Sequence, residues 1–326
     1  MNWMQLSRPI KSAVLKMVAA MGYELIRISP KPDLVVSAAQ KKQAEVAAPV
    51  ENVQQDSAED RSRNEQRDET EREELIKPYL LLYGREAVER RAFLNIGGGA
   101  FRHPCWKNVE FYSEHYKNDV VGNMDIEWDM SLGLPLPVED QTIHLVYTSH
   151  TIEHTLTEHA QHMFSEAHRV LKPGGLLRIV CPNAELYYRA YLAGDVSFFP
   201  YPDIVAEYSL EQVYLHELAT MLSSAEKRHG TIKLSDEYVR DVIHNNDMRT
   251  ALDIICSHVD WSQNRDIPNH VSWWTYDKVF ECLKKVGFST FHRCGWLQSA
   301  SPVLRQYRFF DTTWPNLSLF VEATKQ

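Results

Sequence analysis

Two glycine turns constrain this chain more than any other feature. LNIGGGAF at 94–101 ends an apolar run in three glycines, and RVLKPGGLLRIVCPN at 169–183 turns through Pro173, Gly174 and Gly175 into another apolar run. An apolar strand that stops at glycine opens a backbone-lined pocket, because a residue without a side chain permits positive φ and lets amides approach a ligand. The second turn ends a helix at Lys172 and leads into a strand. Strand-length apolar runs alternating with helical periodicity between such turns predict a mostly parallel sheet, with ligands at the carboxyl ends of its strands.

The α/β pattern begins at about Tyr79. It predicts a helix through 86–91 and strands at 93–96, 109–112, near 120–125 and at 142–149, then a helix with Met163, Phe164, Ala167, Val170 and Leu171 on one face. Residues 184–268 break the rhythm and read as a helical insertion rich in aromatics, among them Tyr187, Tyr188, Tyr191, Phe198, Phe199 and Tyr201. The domain resumes with a helix over 275–288 stopped by Gly287, a strand at 289–293, and a last, antiparallel strand at 318–323. Residues 75–326 are thus one domain with an insertion.

The N-terminal 74 residues differ in kind. In 1–31, Val14, Val18, Met21 and Leu25 recur at helical spacing opposite Lys16, Tyr23 and Arg27, which makes an amphipathic helix. It either docks on protein or lies in a membrane interface, the latter favoured by Trp3 and by Arg8, Lys11, Lys16, Arg27 and Lys31. No run reaches the roughly 20 apolar residues of a spanning helix. Residues 32–74 are poor in aromatics and rich in Ala, Gln, Glu, Asp and Arg, the composition of a linker, and DETEREEL at 68–75 is able to form a solvated helix. The five scattered cysteines include no CxxC pair, so reduced thiols in a cytoplasmic protein are expected. A net charge of −9 and a pI near 5.9 argue against a nucleic acid held through its phosphates.

The ordered set LNIGGG, NVE, DIEWDM, LPLPVED, SHTIEH and RVLKPGGLLRIVCPN, followed by NHVSWWTYDKVFECLKKVGF and FDTTWPNLSLFVEA, resembles the class I methyltransferases that use S-adenosylmethionine. Within them it is similar to a bacterial subgroup associated with surface-glycan biosynthesis. The resemblance implies a Rossmann-like sheet and a cofactor held by Asn95, Gly97, Gly98 and Gly99 at the methionine part. Glu110, at the end of the second strand, would accept from both ribose hydroxyls, and Asp129 and Met130 would supply an acceptor and an apolar plate for adenine. His144 stands where an acidic residue is common in the family. No GxGxxG fingerprint is present, which disfavours a nicotinamide enzyme.

SHTIEH at 149–154 contains HxxEH, the inverted zinc-protease pattern. A zinc hydrolase needs both histidines on a helix and a further ligand downstream, whereas His150 falls where the fourth strand ends. No metal is therefore expected. In the methyltransferase reading this loop lies at the cofactor's methyl end, where His154, or failing it His150, would take the proton of an attacking hydroxyl. The acceptor is then a sugar of a surface or lipid-linked glycan, with a small metabolite, lipid or quinone as the alternative, and a catalytically silent cofactor-binding scaffold as a third. Trp273, Trp274 and the aromatics of the insertion are candidate plates for sugar rings or ordinary core.

Overall fold

The computed structural model describes residues 58–227, 232–263, 265 and 267–326. The expected helix over 1–31 and the linker up to residue 57 lie outside them. Residues 63–326 form one compact unit. Helix α1 (Ala58–Glu89) begins inside the stretch expected to be a linker, so 58–74 is helical rather than irregular. It contains Pro78, and Gly84 at φ 83° and ψ 168° breaks the run.

Seven strands form one sheet in the order β3-β2-β1-β4-β5-β7-β6. They are β1 (Phe93–Ile96), β2 (Lys107–Glu110), β3 (Ile126–Glu127), β4 (Ile143–Ser149), β5 (Leu171–Pro182), β6 (Thr290–Cys294) and β7 (Ser318–Thr324). The first five pair in parallel, and β7 runs antiparallel to both β5 and β6. This is the Rossmann-like sheet with an antiparallel last strand that the sequence implies.

Alternation along the strands fills both faces. Leu94, Val146, Ile179 and Val321 pack on one side with Met163, Phe164 and Ala167 of α2 (Thr157–Val170). Their neighbours Phe93, Tyr147, Val180 and Phe320 pack on the other with Tyr79 of α1, Trp106 and Phe310. Burial on both faces is why the strands read as continuous apolar runs.

Several boundaries differ from expectation, the second strand among them, which is Lys107–Glu110 rather than 109–112. The third strand is the two-residue pair Ile126–Glu127, and Lys117–Val120 forms a short helix before it. The chain leaves α2 at Val170, and Leu171 already belongs to β5, whose register against β4 shifts between Ile143 and Leu145. The shift absorbs the Pro173–Gly174–Gly175 turn. Gly174 has φ +78°, and a Cβ on Gly175 would sit 2.8 Å from the Lys172 carbonyl oxygen.

The insertion folds on a core of its own. Helices α3 (Ala184–Leu192), α4 (Leu210–Leu218), α5 (Asp236–Asn245) and α6 (Met248–Cys256) bury Tyr187, Tyr191, Tyr214, Val239 and Leu252 together. Each helix starts where a side chain accepts from its first turn: Asn183, Ser209, Ser235 and Asp247. Thr275 does the same for α7 (Tyr276–Lys285). Trp273 and Trp274 are buried, so neither is an exposed plate for a sugar. The Lys278 ammonium instead lies 4.0 Å from the Trp273 ring centre.

Candidate active site

The carboxyl ends of β1, β2 and β4 surround an open cleft. Gly97, Gly99, Glu110, Asp129, Met130, His150 and His154 all line it, over an apolar floor that includes Ile96, Val109 and Trp128. Two expected cofactor residues do not. Asn95 and Gly98 line the neighbouring cleft beside Phe101 and Arg308, with Gly97 at the border of both.

The glycine loop is shaped by close approach. A Cβ on Gly97 would lie 2.2 Å from Thr151 Oγ1, and one on Gly98 would lie 2.5 Å from Asn108 Oδ1. Asn108 secures the loop by donating from Nδ2 to the carbonyls of Phe101 at 2.7 Å and Asn123 at 3.2 Å. Gly99, at φ +50°, would meet nothing within 4 Å. Its amide donates to Glu110 Oε1, which brings the carboxylate at the end of β2 to the rim.

Asp129 caps a short turn by accepting from the amide and hydroxyl of Ser131 at 2.9 and 2.6 Å. Its other oxygen accepts from Arg265, whose guanidinium also lies 5.5 Å from the Phe111 ring centre. Arg265 thus reaches over the cleft from the insertion. Sequence reading missed it because it lies in no motif, as it missed Trp261 and Ile267 beside it.

HxxEH does not form the zinc-protease helix. His150 ends β4 in a left-handed conformation at φ 51°, and Ile152–His154 is a single tight turn. His150 bonds Ser318 Oγ through Nε2 at 2.8 Å, and its Nδ1 lies 3.1 Å from Glu153 Oε1. His154 Nδ1 bonds the Asn269 carbonyl at 3.1 Å, and its Nε2 lies 3.8 Å from the same Glu153 oxygen. Glu153 is only 1% exposed. Burial pushes its carboxyl up, but the close His150 imidazole, then His154 and His270, outweigh that and hold it at about 2.

His270, which lies outside the HxxEH motif, joins this group through the backbone. The Glu153 carbonyl accepts from the amides of Val271 at 2.8 Å and Ser272 at 3.2 Å, which binds the 270–272 segment against the turn. The rings of His154 and His270 come to 5.0 Å between centres. Burial and then the His154 neighbour push the His270 imidazole down to about 4.

A second cleft shares His150 and His154 with the first. Tyr187, Tyr201 and Glu217 of the insertion, with His270 and Trp314, form its other walls. Burial pushes the Glu217 carboxyl up to about 7. Tyr201 and Trp314 meet edge to face at 6.4 Å, and Trp314 is 44% exposed.

Residues 105–179, from β2 through most of β5, match the sequence model of a family described as "Methyltransferase domain". Among solved structures the chain is similar to a methyltransferase from Thermotoga maritima described as a possible histamine N-methyltransferase. That pair has 15% identity, coverage of 79% of this chain and 95% of the other, and a TM-score of 0.36. It is also similar to a methyltransferase from Methanosarcina mazei, at 14% identity, 72% and 91% coverage and a TM-score of 0.35. A third is the methyltransferase SibL in its apo form, at 11% identity and a TM-score of 0.34, where the match covers 72% of this chain and 50% of SibL. No curated protein matches the chain. Residues 105–179 thus match a methyltransferase domain, for which S-adenosylmethionine is the cofactor to test against the cleft. The cleft fits that group: the Gly97 backbone occupies space a side chain would deny, two carboxylates stand at the rim, and the floor is apolar.

Proposed function

We propose that this chain transfers the methyl group of S-adenosylmethionine to a hydroxyl oxygen of a sugar in a surface or lipid-linked glycan. The observation that carries the reading is the wall common to the two clefts, formed by His150 and His154. When bound, the cofactor supplies an electrophilic methyl carbon on a sulfonium. The chain's own groups do the rest. Gly97 and Gly99 let backbone approach the methionine part, Glu110 accepts from the ribose hydroxyls, and Asp129 and Met130 take the adenine edge and face. Asp129 does so beside Arg265, with which it is already paired. Holding donor and acceptor on opposite sides of one histidine wall converts a bimolecular encounter into a positioned one, which supplies much of the rate.

A sugar suits the second cleft because carboxyl, imidazole and phenol groups stand beside an exposed indole, the usual mixture of hydrogen-bonding and stacking groups. His154 acts on the hydroxyl. Its Nδ1 donates to a carbonyl, which leaves a lone pair on Nε2. His150, with both nitrogens near partners, stands second.

Comparing surface glycans by mass spectrometry in cells with and without the protein tests the acceptor. One methyl group per acceptor sugar, lost with the protein, is the expected result. Unchanged glycans with a methyl group missing from a small metabolite, lipid or quinone would move the acceptor to that class. Cofactor binding with no methyl transfer anywhere would leave a scaffold.

A further inference from the structure

Glu153 poses a problem of its own. Its carboxylate is buried, and apart from the His150 imidazole, whose Nδ1 lies 3.1 Å from Oε1, neither oxygen has a hydrogen-bond partner. A buried ionised group so poorly supplied with donors is costly, and such groups in folded proteins are paired or coordinate a metal. The nearest groups are imidazoles, and two are arranged in a particular way. One ligand atom from each of Glu153, His154 and His270 lies within 4.8 Å of the others.

The tautomers follow from the partners. His154 Nδ1 faces the Asn269 carbonyl and His270 Nδ1 faces the Glu217 carbonyl. A carbonyl only accepts, so each Nδ1 carries the hydrogen and each Nε2 of a neutral ring carries a lone pair. A ring N–H donated to a backbone carbonyl is the usual outer-shell support of a metal-bound histidine. The bonds from Val271 and Ser272 to the Glu153 carbonyl hold the two segments that carry these ligands in fixed relation.

We propose that Glu153, His154 and His270 bind one divalent first-row transition cation, whose open position faces the second cleft and takes the acceptor oxygen. Two imidazoles and one carboxylate are the donor set of three-ligand catalytic sites that keep a position for water or substrate. Imidazole nitrogen favours ions such as zinc, iron or nickel over magnesium or calcium, which prefer an all-oxygen shell. The second cleft, lined by His154 and His270, gives that open position access. Metal binding stands on the cluster alone, and the role toward the acceptor rests on the methyl-transfer reading above. A filled site commits the His154 Nε2 lone pair to the cation, so His154 then acts on the acceptor through it.

The test uses the full chain, stripped with a chelator and dialysed, and titrated with Zn²⁺, Ni²⁺ and Co²⁺ by calorimetry, with the visible absorption of Co²⁺ as a second readout. One equivalent should bind and raise the thermal midpoint. His270→Ala should weaken binding by at least about tenfold, the lower end of what outer-shell changes alone cost. The same variant should bind S-adenosylhomocysteine as the parent does, which shows that it is folded. Glu153→Gln, which keeps the shape and removes the charge, should also lose the cation. No stoichiometric binding of any of the three ions to folded protein, or binding unchanged in both variants, overturns the site. Cation binding without cofactor binding would overturn the methyltransferase reading and leave the site standing.

Discussion

Gly97 and Gly99 both take positive φ, yet they are constrained differently. At Gly97 a methyl group would collide with Thr151, a residue that lines the cofactor cleft, so the clash is passed into the site. At Gly99 there is open space and only the backbone preference is violated, a cost of about 1–2 kcal/mol. Gly97→Ala should therefore reduce S-adenosylhomocysteine affinity at least about tenfold more than Gly99→Ala does, as about 1.4 kcal/mol of further strain implies. Calorimetry on both variants checks it, and equal losses would refute the assignment of the clash. His154→Ala should lower turnover by about 10²–10⁴ while cofactor affinity stays unchanged, the range for loss of a group acting on the proton in flight. Single-turnover rates beside a cofactor titration separate the two quantities.

His103 carries a pH dependence away from the site. Burial first, then the Arg308 and Arg91 guanidinium groups, push its imidazole down to about 4. Its Nδ1 accepts from the Cys105 amide at 3.1 Å, so the folded protein favours the neutral ring. The unfolded chain takes up a proton near pH 6.5 and the folded one only near pH 4, so His103's contribution to stability is lost as pH falls between those values and is constant below. The thermal midpoint of His103→Phe should fall less than the parent's between pH 7 and 4.5. Parallel falls would refute this.

At the scale of elements, Arg178 shows how β5 and β7 are locked. Its side chain is fully buried, and its fork donates to Asp311, to Glu322 on β7 at 2.9 Å and to the Gln298 carbonyl at 2.9 Å. Arg178→Ala leaves two carboxylates buried without their cation and should cost about 3–5 kcal/mol. Urea unfolding followed by fluorescence measures it, and a loss below about 1 kcal/mol, the range of an exposed pair, would contradict the burial argument. Elements whose burial is continuous were the legible ones. The expected first strand coincides with Phe93–Ile96 and the fourth lies one residue from Ile143–Ser149, because every β1 residue and most of β4 are buried. The third strand was misplaced because two residues, one of them exposed, give no periodicity. The helix over 58–67 was read as linker, and over 68–75 only as a solvated helix the chain is able to form, because a polar segment with no apolar stripe gives composition nothing to report. The same logic holds in the site. Glycines and acids at strand ends announce themselves by position, whereas Arg265, Glu217 and His270 reach the clefts from the insertion and the loop after it, where no local pattern marks them.

At the scale of the molecule, no helix among the described residues is long and apolar enough to cross a membrane. Residues 1–31 are proposed to attach the chain to an anionic surface, where each nearby Lys or Arg adds about 1 kcal/mol and salt weakens the contact. The intact chain should co-sediment with anionic liposomes at low salt, and a chain beginning at residue 58 should not. Both remaining in the supernatant would assign the N-terminal segment to a protein interface instead. The folded part rests on a sheet core and a separate core in the insertion. The insertion departs and returns at nearly one point, where the Ala184 amide bonds the Trp274 carbonyl at 2.9 Å. Such a graft point lets one contiguous stretch of a gene be exchanged as a cassette. Descendants of this chain would inherit the glycine loop and the strand-end carboxylates while trading the wall that meets the acceptor together with the Arg265 arm over the cofactor cleft, so new substrates would arise by replacing a module rather than by rebuilding an enzyme.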